Sequence, residues 1–466
     1  MIAGLQPYSR MKDSGVQWLG DVPAHWEVPP GRRCFKEIQR PNTGLVEKTV
    51  LSLSYGRIVV KPEEKLHGLV PASFETYQIV EPGEIICRPT DLQNDKTSLR
   101  FGYSGNRGII TSAYIALQTQ EGIESSYGYL LLHAYDLKKI FYGLGSGLRQ
   151  NLDWKDFKKL PCLVPPPDEQ TAIVRFLDYA DRRIRRYIRA KQKLIKLLEE
   201  QKQATIHRAV TRGLDPNVRL KPSGVEWLGE VPEHWKLKRF KFLGKITSGQ
   251  VDPREPQHKE KILIAPNHIK SGTGIISHLE TAEDQGADSG KYVVLQGQII
   301  YSKIRPNLRK AVIAPMDCLC SADMYPITVR KSELRTEYLL QLLLSLPFTR
   351  YAVDCSLRVA MPKVNREALG ECWLWYPSLE EQDRIVASIK QSVDPSNTAI
   401  AQAEQEIALL REYQTRLIAY VVTGKLDVRE AAAQLPQEDE TPATLDTLID
   451  EADSEEESDE LEALED

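Results

Sequence analysis

Residues 223–235, SGVEWLGEVPEHW, repeat residues 14–26, SGVQWLGDVPAHW, with ten of thirteen positions identical at an offset of 209. The chain therefore carries two copies of one unit. Two further landmarks return at an offset of 212: Glu169-Gln170, opening a helical stretch, returns as Glu381-Gln382, and residues 211–215 (TRGLD) return as residues 423–427 (TGKLD). A period of this length is too long for a solenoid repeat and implies two domains of like fold, each followed by its own long helix.

Outward from each copy, short apolar and β-branched runs broken by Gly, Pro and Asn predict strands at 49–53, 77–80, 85–87 and 108–111, with one helical patch at 127–139. The second unit gives strand-like runs at 261–265, 292–295, 298–301 and 311–314. A turn before Ile85-Ile86 has its counterpart before Ile299-Ile300, and Tyr129-Leu130-Leu131 returns as Tyr338-Leu339-Leu340.

From Glu169 to about Arg212 no proline or glycine interrupts the chain, and Leu177, Ala180, Ile184, Tyr187, Leu194 and Leu198 recur at alternating spacings near three and four. One long helix is expected, with an imperfect seam because Lys191, Gln201 and Thr205 also fall on it. A second helix follows residue 377; Asp394-Pro395 is expected to interrupt it, and Ile400, Ala403, Ile407, Leu410, Gln414, Leu417 and Val421 form a cleaner heptad seam. The two seams pair most simply with each other. Antiparallel pairing places the strand-rich domains about a pseudo-twofold axis, and docking of residues 14–26 beside the end of the second helix makes the arrangement cyclic. The fold class expected is α+β.

The net charge of −4 hides an asymmetry, because residues 436–466 hold fifteen Asp or Glu and no Lys or Arg, leaving the rest at +11. A basic body suits a polyanion partner, and the acidic stretch has the composition of a disordered tail. Seven scattered cysteines, never spaced CxxC, suggest reduced and mostly buried thiols rather than a zinc ribbon or a disulfide framework. No apolar run is long enough to span a bilayer and the first ten residues have no signal-peptide pattern, so a cytoplasmic protein is expected. There is no P-loop, no adenine-methylation motif, no HExxH and no GxSxG, so no catalytic or metal-ligating residue is assigned.

Polar clusters follow the Ile-Ile strand in both domains. Arg88, Asn94, Lys96 and Arg100 lie in the first, and Lys303, Arg305, Asn307, Arg309 and Lys310 in the second. A further pair of sites holds Ser146, Arg149, Gln150 and Asn151 in the first domain and Arg358 with Lys363 in the second. Such side chains make paired hydrogen bonds to base edges and contact phosphates, so all of these are candidates for DNA binding. The first helix adds eight basic and no acidic residues between Arg182 and Lys196, either a solvated face or one turned to DNA or an acidic partner.

Two SGVxWLGxVPxHW segments, two Glu-Gln helix starts and two TxGxLD-like ends framing dissimilar strand-rich domains closely resemble the specificity subunits of type I restriction-modification systems, over about residues 10 to 430. The resemblance implies two target recognition domains, each reading half of a split DNA target. It implies paired helices as the ruler for the spacer, and no catalysis by the chain itself. Its partners would be double-stranded DNA, two methyltransferase subunits and, through them, two restriction subunits. Cofactors would be absent from this chain, with S-adenosylmethionine, ATP and Mg on the partners. The expected domains are 1–28 (N-terminal repeat segment), 29–165 (first recognition domain), 166–212 (central helix), 213–236 (second repeat segment), 237–376 (second recognition domain), 377–430 (second helix) and 431–466 (acidic tail). Docking of partners is expected at Trp18, Leu19, Trp227 and Leu228 in the repeats and at Leu194, Leu198, Leu410 and Leu417 on the helices. A stand-alone DNA-binding regulator is the alternative, and a coiled-coil adaptor without DNA contact a third.

Overall fold

A computed structural model of the chain describes residues 5–54, 56–62, 74–144, 150–356 and 363–436. It divides into two compact units, Met1–Arg189 with Ile407–Asp466, and Ala190–Glu406. The division falls inside both long helices, Pro167–Arg212 and Leu379–Val422, so each unit contains part of each helix.

In the first unit, a four-stranded antiparallel sheet has the order Phe35–Ile38, Ile115–Thr119, Ile85–Cys87, Phe101–Tyr103. Ile85, Ile86 and Cys87 are all fully buried. The helix Ser125–Leu137 packs Tyr127, Leu131 and Tyr135 into one core with Ile85 and Cys87, while Ile86 joins Leu51, Val80 and Ile110 in another. A strand covered on both faces needs this continuous apolar run rather than an alternating one.

The second unit repeats the strand order with Gly244–Ile246, Met324–Val329, Ile299–Ser302 and Ala311–Ile313. Ile299 and Tyr301 face the helix Thr336–Leu343, and Ile300 faces a three-stranded sheet that contributes Ile264, Val294, Cys318 and Cys320. Six of the seven cysteines are buried and all are free thiols. Among the described residues no helix is long and apolar enough to cross a membrane.

The helix halves pair antiparallel within each unit. In the first, Ile173, Phe176, Leu177 and Ala180 share a core with Leu417 and Val421, and Gln414 donates to Asp181. In the second, Ile206, Ala209 and Val210 meet Ile385 and Ile389, while Lys191 pairs with Glu406 at 2.7 Å. The seam is narrower than its heptads suggested, because Tyr187 and Leu194 are exposed. Pro395 does not interrupt the second helix; Leu379–Val422 is continuous around it. A proline in a helix interior costs about 3 kcal/mol or more. Burial of Ile385, Ile389, Ile400 and Ala403 on either side offsets that cost.

The Glu-Gln pair explains how each repeat is fastened. In the first unit Glu169 accepts from the Trp26 indole at 3.1 Å and pairs with His25 at 2.7 Å, and Tyr8 also donates to it. In the second, Glu381 takes Trp235 at 3.1 Å and His234 at 2.9 Å. The two histidines therefore meet a carboxylate, and their rings lie 5.8 Å from Tyr8 for His25 and 6.5 Å from Trp235 for His234. Each fully buried Trp removes about 200 Å² from water, worth on the order of 5 kcal/mol as an upper bound, against about 1 kcal/mol for its hydrogen bond. Burial supplies the energy and the glutamate fixes the orientation.

Closure of the chain is visible within the first unit. Lys425 donates to the Leu19 carbonyl at 3.2 Å and to that of Asp21, and Gln6 bridges Asp427, so residues 14–26 dock at the end of the second helix as the repeat required.

Candidate nucleic-acid interface

In the first unit the loop leaving Ile85–Cys87 is built around Arg100, which is 0% exposed. Its guanidinium donates to the carbonyls of Thr90 at 2.6 Å, Asp91 at 3.3 Å and Asp95, and lies 5.2 Å from the Tyr142 ring centroid. Its backbone N–H donates to Asp136 at 2.6 Å. A buried cation persists only when surrounded by acceptors. Arg100 is thus the scaffold of the loop and not the DNA contact that its sequence position suggested.

What Arg100 holds in place is polar and outward. Arg88 is half-buried, 3.6 Å from Asp95. Asn94 is exposed and donates to Asp91 at 2.8 Å, and Lys96 is exposed. The Asn151 side chain accepts from the Asp91 N–H at 3.0 Å, which brings Gln150 and Asn151 to the same loop. Ser146 and Arg149 lie outside the described residues.

The equivalent loop in the second unit leaves Ile299–Ser302 and turns through Pro306–Leu308, with Arg305 and Arg309 both left-handed at φ 46° and 48°. Such backbone costs of order 1 kcal/mol or more per residue and survives only where neighbours fix it. Arg309 donates to Gln203 of the first long helix at 2.6 Å and its carbonyl accepts from Gly272 at 3.2 Å. Lys310 donates to the Pro266 carbonyl at 2.8 Å, and Lys303 to that of Ala322 at 2.7 Å. These three are anchors. Arg305 and Asn307 are the exposed tips, and Lys363 is brought beside them by pairing with Ile304. Burial, and then the charge of Arg305, lowers the Lys310 pKa, a cost that an approaching anion relieves. Arg358 lies outside the described residues.

Sequence reasoning passed over Arg366. It donates to the Thr247 carbonyl at 2.7 Å and lies over Tyr325 at 5.0 Å and Tyr292 at 5.6 Å, tying the segment after Lys363 to the sheet edge. A lone arginine after an Asn helix cap gives no sequence signal of such a role.

His268, His278 and Glu280 form the cluster of metal-ligating types among the described residues. Nδ1 of the buried His268 takes the Ala265 N–H at 3.2 Å, which leaves the proton on Nε2, 3.6 Å from Glu280. A ligand nitrogen must be unprotonated, so this arrangement does not fit a metal.

Of the residues expected to dock partners, Leu19, Leu228 and Leu417 are 2%, 8% and 1% exposed and belong to the chain's own cores, because repeat and seam leucines are needed to close each unit. Trp18 is half-buried, edge-on to Tyr135 at 4.9 Å, and Trp227 packs 5.2 Å from Tyr351. Leu194 is exposed, and Leu198 and Leu410 are half-buried. The basic stretch of the first helix is partly occupied: Arg183 donates to the Tyr179 and Tyr187 hydroxyls and Arg185 pairs with Asp181.

A model of the type I restriction modification DNA specificity domain matches residues 92–197 and 232–409, together well over half of the chain. The type I restriction enzyme EcoDI specificity subunit of Escherichia coli is 31% identical over 286 residues, 58% of this chain and 63% of that subunit. The matched stretch thus spans less than two thirds of that relative. The MjaVIII specificity subunit of Methanocaldococcus jannaschii is 23% identical over 343 residues, covering 70% and 76% of the two chains. A structure solved in work on complex assembly and conformational transition of the type I R-M system has the same fold, with a TM-score of 0.61 at 15% identity, covering 87% of this chain and 99% of that one.

Proposed function

The chain belongs to the type I restriction-modification DNA specificity family, and from that premise we propose that it reads a bipartite duplex target, one block with each strand-rich domain, for partner subunits that carry out the chemistry. The observation that carries this reading is the equivalence of the two polar loops: each leaves the same strand of a sheet of the same order, each is held by buried or half-buried basic anchors, and each presents different tips. Arg88, Asn94 and Lys96 serve one block, and Arg305, Asn307 and Lys363 the other. Arginine pairs with guanine and asparagine with adenine in the major groove, while the remaining cations take phosphates.

The chain itself is a non-catalytic recognition subunit. In this reading it docks two methyltransferase subunits and through them two restriction subunits, which bring S-adenosylmethionine, ATP and Mg. The sequence repeat supports two equivalent seats, one for each methyltransferase subunit. The half-buried Trp18 and Trp227 lie on those seats.

Sequencing the modified bases of a cell that expresses this chain with its methyltransferase partner tests the proposal. The expected result is one modified-adenine motif of two short blocks around a fixed gap. Soluble, associated proteins that give no such motif would move the assignment to a DNA-binding regulator.

A further inference from the structure

We infer that the acidic residues 437–466 dock in cis on one arginine face of the first long helix and compete there with nucleic-acid phosphate. The docking stands on its own, and the competition rests on the DNA-reading role proposed above.

The face is defined by spacing. Arg175, Arg182, Arg186 and Arg189 succeed one another at seven, four and three residues, which keeps them on one side of an α-helix. Ile173, Leu177, Ala180 and Ile184, all buried, occupy the opposite side. Arg175, Arg182 and Arg186 are exposed and Arg189 is half-buried; Asp178 is the acid at the edge of the face. All of these belong to the first unit, as do Leu435 and Pro436, from which the acidic segment continues.

The chain arrives on this face. The short helix Arg429–Ala433 is anchored by Val428 and Ala432 in the core, and Arg175 then donates to the carbonyls of Leu435 at 3.0 Å and Pro436 at 3.2 Å. The next thirty residues hold fifteen Asp or Glu and no Lys or Arg. Arg175 to Arg189 is roughly 21 Å along the axis, and an extended chain covers that with about seven residues. Tethering at the first arginine supplies an effective concentration in the millimolar range, and arginine forks match carboxylates in pairs. A face covered nine-tenths of the time binds a competitor about tenfold more weakly.

The test is a double cycle in the full-length chain: Asp and Glu of 437–466 replaced by Asn and Gln, crossed with Arg182→Gln, Arg186→Gln and Arg189→Gln. Affinity for an arbitrary duplex is measured at low salt. Neutralising the acidic segment should tighten binding by up to about tenfold with the arginines present and by less than about twofold without them. Equal tightening in both backgrounds would reduce the effect to overall charge and overturn the inference, as would no tightening at all. A readout without DNA uses Arg182→Lys and Arg186→Lys with carbodiimide coupling: cross-links to acids of 437–466 within one chain are expected. Cross-links found only between chains would make a second copy the occupant and overturn docking in cis. If no variant binds duplex, the DNA-reading role fails while the cross-links still decide the docking.

Discussion

Arg100 and Arg305 put the same side chain to opposite uses. Arg100 is enclosed by carbonyls and Arg305 stands at a loop tip. Arg100→Met should lower stability by about 3 kcal/mol or more, since several buried acceptors lose their donor. Arg305→Ala should leave thermal unfolding within about 0.5 kcal/mol of the parent and cost about 1–3 kcal/mol of affinity for the cognate duplex. Melting curves and duplex titrations of the two variants separate the roles. Sequence could not make this distinction, because a basic residue near a strand end reads the same whether its neighbours enclose it or not. A second residue-scale prediction concerns His133, 9% exposed and stacked on Tyr129, with Nδ1 buried and unbonded. Burial pushes its pKa down to about 4 from the ordinary 6.5. Between those values the unfolded chain binds the extra proton, so this contribution to stability is complete above pH 6.5 and is lost as the pH falls toward 4. Denaturant midpoints of His133→Leu should fall less steeply than the parent's over that window, and parallel curves would contradict the assignment.

At the scale of elements, the helices were the most legible part. An uninterrupted run from Glu169 to Arg212 has few alternatives, and it forms Pro167–Arg212. Pro395 misled because local propensity was weighed without the tertiary burial on both sides of it. Pro395→Ala, at an exposed position, should restore a backbone donor and raise stability by about 1–3 kcal/mol, read as a higher melting temperature. The helix ends give a paired prediction. Gly213 and Gly424 both have left-handed backbone, φ 73° and 70°. A Cβ at Gly213 would lie 3.3 Å from a Glu381 oxygen, a tight approach that a shift of a few tenths of an ångström relieves, whereas one at Gly424 would lie 2.4 Å from Pro23 and 3.1 Å from Trp26. Gly213→Ala should cost about 1–2 kcal/mol of backbone strain, and Gly424→Ala a further 1–3 kcal/mol from overlap with the docked repeat. Similar melting temperatures for the two would mean that the N-terminal repeat is not seated on the helix end.

At the scale of the whole molecule, the frame grips each strand-rich domain in a way that does not depend on the loops that domain carries. Gln170 donates to the carbonyls of Gly122 at 2.8 Å and Pro165 at 2.9 Å and accepts from the Glu124 N–H at 2.8 Å. Gln382 does the same with Glu333 at 2.9 Å, Pro377 at 3.0 Å and the Arg335 N–H at 2.8 Å. Every one of these bonds ends on backbone, so side chains in the readers vary without loosening the grip. This is why the repeats and Glu-Gln pairs were readable from sequence while the polar loops were not: the first are fixed by packing that recurs in both units, whereas the loops differ from one unit to the other. Replacing residues 237–376 by a second copy of 29–165 should therefore fold. In the pseudo-twofold arrangement proposed for the repeats, two identical readers face an inverted repeat. The modified motif should change from two unlike blocks to a palindrome built from one of the original blocks, with a similar gap. A direct repeat of that block would show that the readers are related by translation along the DNA, and the pseudo-twofold proposal would fall while the specificity role stood.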